Sequence, residues 1–321
     1  MLVRVLGRKG ELTQLLKSLG DLPKDQRKTI GQAANELRDW AQQHLDAAKI
    51  DLLSKNIDKS LAEETIDVTL PGRKRNLGAM HPITTTCARL EDLFINLGFS
   101  IAEGPHIETI YYNFDALNTP YNHPSREEAD TFYTKSGPNG EYFVLRTHTS
   151  PVQVRTMEAM KPPIRIIAPG KVFRRDEIDA THTPVFHQME GLVIDKNITM
   201  GDLKGIMEIF ARHMFGSGTS VRLRPSYFPF TEPSAEVDIA CYACKGHPPK
   251  DGCRICKDSG WVELLGCGMV HPKVLEMSGI DPTIYSGYAF GLGVSRIATA
   301  VYGITDPRQL FENDVQFLGQ F

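Results

Sequence analysis

The sequence predicts an α+β protein, a mostly antiparallel sheet flanked by helices, with a helical coiled-coil-like arm at its N-terminus. Three observations predict it. Strand-like runs follow one another with few helices between them, so sequence-adjacent hairpins outnumber βαβ units. Residues 1 to about 75 show helical periodicity and no long strand signal. The segment 71–80 (PGRKRNLGAM) is basic and contains Pro and Gly, which marks a linker between an arm over 1–75 and a larger domain over 76–321.

Each element has its local reason. Gly10–Leu19 is short and apolar-periodic, and Gly20-Asp21-Leu22-Pro23 breaks it. From Ile30 the apolar positions run Ile30, Ala34, Leu37, Ala41, Leu45, Ala48, Leu52, in steps of 4, 3, 4, 4, 3, 4. That approximates a heptad seam, narrow enough to suit one partner helix, so the arm reads as an antiparallel helical hairpin. The plainer alternative is a helix packed on the main domain. His81–Leu97 is amphipathic through Ile83, Leu90, Leu93, Phe94 and Leu97, and Gly98 follows as a helix stop. Phe99–Ala102 starts a strand that Pro105 interrupts. Ile164–Ala168, Val185–Met189, Gly191–Ile194, Val221–Arg224, Ala235–Ala240 and Trp261–Leu265 read as strands, and Met200–Phe215 and Val294–Tyr302 as helices.

Composition bounds the function. Lys and Arg number 36 against 39 Asp and Glu, a net charge of −3, which excludes a chain basic throughout but permits a local basic face. With 41% hydrophobic and 23% charged residues, a sizeable core is possible and wholesale disorder is not. No apolar run approaches the roughly 18 residues of a membrane span. MLVRVLGRKG has no apolar signal core, so a cytoplasmic protein without a membrane anchor is expected.

Of six cysteines, Cys241, Cys244, Cys253 and Cys256 form C-x2-C-x8-C-x2-C. In a reducing compartment this spacing reads as a closed four-thiolate site for structural Zn²⁺ or another thiophilic metal. Lys245, His247, Lys250, Arg254 and Lys257 make the loop basic, which suits a phosphate backbone or simply the tip of a stapled hairpin. Cys87 and Cys267 read as buried small residues.

Other stretches are polar where a core would be apolar. Arg146–Arg155 (RTHTSPVQVR) crowds hydrogen-bonding groups together, as many surface loops also do. In 171–191, strand alternation puts Phe186, Gln188 and Glu190 on one face, poor core material but apt for a pocket that takes a flat ring and a polar small molecule. Arg174 and Asp176 share a face too, although a surface ion-pair ladder gives the same pattern. In 225–238, Tyr227, Phe228 and Phe230 are interleaved with prolines beside Glu232, which could coordinate a hard cation such as Mg²⁺ or stand exposed at an aromatic corner. Gly291-x-Gly293 leads into a helix with Arg296 in its first turn, an arrangement that favours an anion. GLGVSR lacks the third glycine of a dinucleotide fingerprint, which argues against that fold.

In order, LRTHTSPVQVR, THTPVFHQMEGL, PSYFPFTEPSAEVD, GCGMVHPKVL and AFGLGVSRIA resemble the signature segments of class II aminoacyl-tRNA synthetases. They are most similar to those of bacterial phenylalanine–tRNA ligase alpha chains, over nearly the whole sequence. The resemblance implies a class II catalytic domain and ATP-dependent activation of L-phenylalanine to the adenylate, then transfer to tRNA(Phe). It implies that Arg174 holds the α-phosphate of ATP, and that Arg296 grips the γ-phosphate and covers one face of adenine while Phe186 stacks on the other. Asp176 and His182 would help seat the nucleotide. His148, Ser150, Gln188 and Glu190 would orient the amino and carboxyl groups of phenylalanine, Phe228 and Phe230 would meet its ring, Ala289 would floor the pocket and Tyr133 would close one side. Glu232 would bind Mg²⁺ with help from the partner subunit, in an (αβ)₂ heterotetramer whose beta subunit carries editing.

Three features depart from the pattern. The arm is expected to be short, the four-cysteine segment is an insertion relative to many members, and Ser295 stands where an acid is common. Two rival readings are a catalytically inactive synthetase-like binding or regulatory paralogue and a zinc-ribbon nucleic-acid module. The first predicts losses at Arg174, Gln188, Glu190, Glu232 or Arg296, all of which are present, and the second a basic balance, which is absent.

Overall fold

A computed structural model describes every residue except 1, 19, 21–22, 64–68, 70–71, 73–77, 136, 138–140 and 180–182. The chain divides into two compact units, 1–76 and 77–321. Of the linker expected at 71–80, only Gly72 and 78–80 are among the described residues.

The first unit is helical: α1 (Leu2–Leu6), α2 (Glu11–Ser18) and α3 (Lys24–Glu63). Helices α1 and α2 pack on one another and on α3, with Leu12, Ala34 and Ala41 buried between them. The hairpin expected from the seam is therefore only partly formed. Helix α2 has 8 residues and α3 has 40, so the short helix can cover only the start of the long one. Farther along, Leu52, Ile57 and Leu61 are exposed.

The second unit is α+β. Its elements are α4 (Pro82–Asn96), β1 (Ser100–Ile101), β2 (Ile107–Thr109), α5 (Ile110–Asn113), β3 (Phe143–Leu145), α6 (Ser150–Ala159), β4 (Ile164–Phe173), β5 (Val185–Asp195) and α7 (Met200–Phe215). There follow β6 (Val221–Phe228), β7 (Thr231–Ala240), β8 (Trp261–Val270), α8 (Pro272–Met277), β9 (Ser286–Gly293), α9 (Val294–Tyr302) and α10 (Val315–Leu318). The His81 side chain caps α4 by accepting from the Ile83 N–H, and Pro82 fits the first turn, where no N–H partner is needed. Helix α7 starts on a reciprocal Thr199–Asp202 capping box.

Seven strands form one sheet in the order β1-β4-β5-β9-β8-β7-β6, antiparallel throughout except for β1 against β4. Several strands run longer than their apolar cores suggest, and the two runs expected at 185–194 are one strand. One face is apolar. Met189, Val193, Leu265, Cys267 and Phe290 pack there against Leu90 and Phe94 of α4, Met207 and Phe210 of α7 and Ile297 of α9. On the opposite face Ile164, Ile166, Leu192 and Ile194 pack against Val154 and Met157 of α6 in a second apolar cluster, and beside it lies a cleft with polar walls.

Candidate active site

The sheet register builds the cleft floor. Glu190 of β5 lies opposite Gly291 of β9, Gly291 opposite Gly266 of β8, and Gly266 opposite Glu236 of β7. Two carboxylates on one row are thus separated by two residues without side chains. A Cβ on Gly266 would come within 2.7 Å of the Phe228 ring, and one on Gly291 within 2.9 Å of Gln188 Nε2. In the neighbouring row Ala289 lies opposite Gly268. The floor is low because glycine and alanine occupy it, and the aromatic and amide groups lean over it.

A cavity of about 650 Å³ stands on this floor, lined by His148, Ser150, Gln188, Glu190, Phe228, Phe230, Ala289, Arg174, Asp176 and Arg296 among others. Phe228 and Phe230 stack with ring centroids 5.9 Å apart. Glu190 is buried and accepts four hydrogen bonds: Ser150 Oγ at 2.6 Å, Gln153 Nε2 at 2.6 Å, Gln188 Nε2 at 3.0 Å and the Thr149 N–H at 3.2 Å. None of these donors carries a charge. Burial pushes its carboxyl up to about 7, and the bonds from Ser150 and Thr149 and the more distant Arg174 and Arg146 only partly oppose that rise. His148 is half-buried, but the walls desolvate its ring, and this, with the charge of Arg174, pushes its pKa down to about 3. It is neutral at physiological pH. His148 Nδ1 and Gln188 Oε1 are buried without a hydrogen-bond partner. Such orphaned polar atoms beside a buried carboxylate suit a small polar ligand.

A second cavity of about 850 Å³ shares Arg174, Asp176, Gln188, Gly291 and Arg296 with the first and continues past Phe186, Gly293 and Ser295. Arg174 donates from Nε to the Thr147 carbonyl at 3.3 Å, and its guanidinium lies 5.1 Å from the Phe186 ring centroid. Arg296 is exposed on the first turn of α9. Ser295 Oγ accepts from the His187 N–H at 3.1 Å. Two guanidiniums beside an aromatic ring suit a phosphorylated, flat-ringed ligand.

Not every expected residue joins this constellation. His182 lies outside the described residues. Tyr133 is not in the cleft lining; its hydroxyl donates to the Arg126 carbonyl at 2.6 Å. Glu232 also stands outside the lining. Its side chain is 73% exposed, and Oε2 lies 3.1 Å from His271 Nε2. Glu236 and Glu263 do line the cleft, but both are bound to Arg224 at 2.8 Å. Asp130 and Asp176 line the cleft as well, but among the described residues no three carboxylate or histidine side chains come together there as a cation site.

Some supporting residues were given no site role from sequence. Gln153 lies on α6 with the expected Ser150, in a stretch that reads as loop from its polarity. Asn113 clamps the adjoining turn, donating to Thr147 Oγ1 at 3.1 Å and accepting from the Thr147 N–H at 3.2 Å. Arg146 is buried and donates to the carbonyls of Lys171 and Gly104. Arg155 turns away from the cleft and forms a double contact with Glu108.

The four cysteines do come together. Their sulfurs lie within 4.8 Å of one another, with Cys241–Cys253 at 3.8 Å and Cys244–Cys256 at 3.7 Å. Sulfurs placed tetrahedrally at about 2.3 Å from zinc are about 3.8 Å apart, so this donor set fits a tetrahedral thiophilic ion. Lys245 and Lys257, each following the second cysteine of its pair, have φ of 52° and 48°, the left-handed turn that folds each knuckle back.

Comparison with known proteins agrees with this geometry. Residues 65–321 match the tRNA synthetases class II core domain (F), and residues 2–61 match the aminoacyl tRNA synthetase class II N-terminal domain. Phenylalanine–tRNA ligase alpha subunits from Acetivibrio thermocellus and Alkaliphilus metalliredigens are each 54% identical over 319 residues, covering 99% of this chain and 91% of theirs. The alpha subunit from Caldanaerobacter subterraneus subsp. tengcongensis shows the same identity and coverage.

Proposed function

The chain belongs to the phenylalanine–tRNA ligase alpha subunits, class II synthetases that activate an amino acid and charge tRNA with it, and from that membership we propose how the cleft divides its work. Phenylalanine occupies the floor between Glu190 and the Phe228–Phe230 pair, and ATP occupies the continuation lined by Arg174, Phe186 and Arg296. The observation that carries this reading is Glu190, a buried carboxylate with four neutral donors and no ion-pair partner. The substrate ammonium supplies the missing cation. His148, Ser150 and Gln188 orient the substrate's amino and carboxyl groups, and Ala289 leaves depth for the ring beneath Phe228 and Phe230. A tyrosine hydroxyl buried in that apolar end would lack a partner, a penalty of about 1–3 kcal/mol in favour of phenylalanine.

Arg174 binds the α-phosphate, Asp176 and His182 help seat the nucleotide, and Arg296 takes the γ-phosphate and one face of adenine opposite Phe186. The amino-acid carboxylate attacks the α-phosphorus and pyrophosphate leaves. Such a step needs alignment and charge stabilisation rather than a protein nucleophile. A ribose hydroxyl at the end of tRNA(Phe) then attacks the adenylate's acyl carbon, forming the ester as the acyl–phosphate bond breaks and AMP leaves. Mg²⁺ accompanies ATP in class II synthetases and neutralises phosphate charge when bound. Glu232, exposed beside His271 and outside the cleft lining, would hold that ion only together with donors from the phosphates and the beta subunit. The four-cysteine cluster takes structural Zn²⁺. The assembly is an (αβ)₂ heterotetramer acting in the cytoplasm; among the described residues no helix is long and apolar enough to cross a membrane.

The test is phenylalanine-dependent pyrophosphate exchange by co-purified alpha and beta subunits. Exchange that collapses with Arg296→Ala supports the assignment. Undiminished exchange in that variant overturns it.

A further inference from the structure

The four-cysteine loop does not stop at its metal site. It leaves the sheet between Ala240 and Trp261, which pair at the end of the β7–β8 hairpin, and it reaches the nucleotide end of the cleft. Arg254 and Ile255, the two residues between Cys253 and Cys256, line the same cavity as Arg174, Phe186 and Arg296, as does Tyr242 between Cys241 and Cys244. Both knuckles therefore present their intervening residues to that wall.

The charge balance there is unusual. Arg254 is exposed and forms no ion pair or side-chain hydrogen bond among the described residues. The loop's Lys245, Lys250 and Lys257 are not in the lining of this cavity. Three guanidiniums and one carboxylate, Asp176, thus line one cavity in a chain whose net charge is −3, which leaves the cavity with excess positive charge. Like charges in a partly enclosed space repel unless an anion occupies it. An exposed arginine would ordinarily lose much of its value to side-chain disorder, but Arg254 sits between Cys253 and Cys256, and a metal bound to their thiolates would hold that backbone at both ends and lower the entropy cost of a fixed contact.

We propose that Arg254 is a third phosphate-binding guanidinium for the ATP polyphosphate, held in place by the metal-bound knuckle. The proposal rests on the assignment of this cavity to ATP, and it gives the four-cysteine insertion a task in substrate binding beyond stapling a hairpin.

The experiment uses Arg254→Ala and Arg254→Lys in the co-purified alpha–beta enzyme. It measures KM for ATP and phenylalanine in tRNA-free pyrophosphate exchange, ATP affinity by titration calorimetry, KM for tRNA in aminoacylation, and metal content by mass spectrometry. The expected result for Arg254→Ala is a rise of about tenfold in ATP KM, with a matching loss of calorimetric affinity. Phenylalanine KM should stay within about twofold, metal content should be unchanged, and Arg254→Lys should recover part of the loss. Unchanged ATP KM and affinity overturn the proposal, as does a change confined to tRNA KM. Arg296→Ala run in parallel separates the two levels: if it too leaves ATP binding untouched, the assignment of the cavity itself has failed. A wild-type enzyme free of thiolate-bound metal overturns the positioning by a metal and leaves the phosphate contact to be decided by the ATP measurements.

Discussion

Ser150, in the first turn of α6, donates its hydroxyl to Glu190 in the middle of β5 at 2.6 Å, joining segments forty residues apart. That bond belongs to a ring of neutral donors around a carboxyl raised to about 7 by burial. An incoming ammonium requires the ionised form. Phenylalanine KM should therefore fall as pH rises through about 7, and Glu190→Gln should raise KM at least tenfold and flatten the profile, a change of roughly 1.4 kcal/mol or more. His148, neutral far below this window, should not contribute to it. The sign for stability is opposite. A carboxyl whose folded pKa exceeds its usual 4.5 holds more protons in the native state between 4.5 and about 7, so stability falls as pH rises through that range. A series of Tm values against pH should show less of this decline in Glu190→Gln than in wild type.

The glycine floor makes a separate prediction. A Cβ on Gly266 would stand 2.7 Å from Cζ of Phe228, a ring stacked on Phe230. Gly266→Ala must push Phe228 toward the space assigned to the substrate ring. Overpacking of this kind costs about 1–3 kcal/mol. Phenylalanine KM should rise by about tenfold or more while ATP KM changes little. Equal changes in both constants would show that the sheet had moved as a whole and would sink the local account.

How much of this was legible follows from the range over which each feature is encoded. The face shared by Phe186, Gln188 and Glu190 is a two-residue period within one strand, and the cysteine spacing is a local turn geometry, so both can be read from sequence. Helix α6 cannot be read so easily. Ser150 and Gln153 are polar yet buried, because their partner is Glu190 on another element, and their polarity disguises the helical period as a loop. The opposition of Gly266 to Gly291 depends on the register of β8 against β9, which no single strand specifies. Glu232 shows the converse. Its sequence neighbours Phe228 and Phe230 turn into the cleft, but at the irregular start of β7 its side chain goes to solvent and His271. The seam in α3 is a true helical pattern, but a seam does not state how long its partner is, and α2 is short.

Metal removal tests the knuckle independently of catalysis. Four sulfurs with contacts of 3.7 and 3.8 Å leave no room for an open coordination position. One thiophilic ion per alpha chain is expected by elemental analysis. Cys244→Ser should abolish it, and cobalt substitution should give thiolate-to-metal charge-transfer absorption. Because binding free energy at such a site is also folding free energy, the loss should lower Tm and leave the loop from 241 to 260 sensitive to protease. A metal-free wild-type enzyme with unchanged Tm would refute the structural role.

Arg146 offers the sharpest separation of charge from shape. It is buried, its Nε donates to the Lys171 carbonyl at 2.8 Å and its Nη1 to the Gly104 carbonyl at 3.1 Å, and Gly170 leaves the room its guanidinium occupies. It touches neither proposed substrate, but its charge favours ionised Glu190. Removing the charge with Arg146→Met should raise the Glu190 carboxyl further, shifting the midpoint of the phenylalanine KM profile to higher pH. Arg146→Lys keeps the charge and loses the fork, so it should lower Tm while leaving that midpoint in place. Two variants with equal Tm losses and different pH midpoints would identify an electrostatic positioning residue. Equal midpoints would reduce Arg146 to a strut between the 146–150 turn and β4.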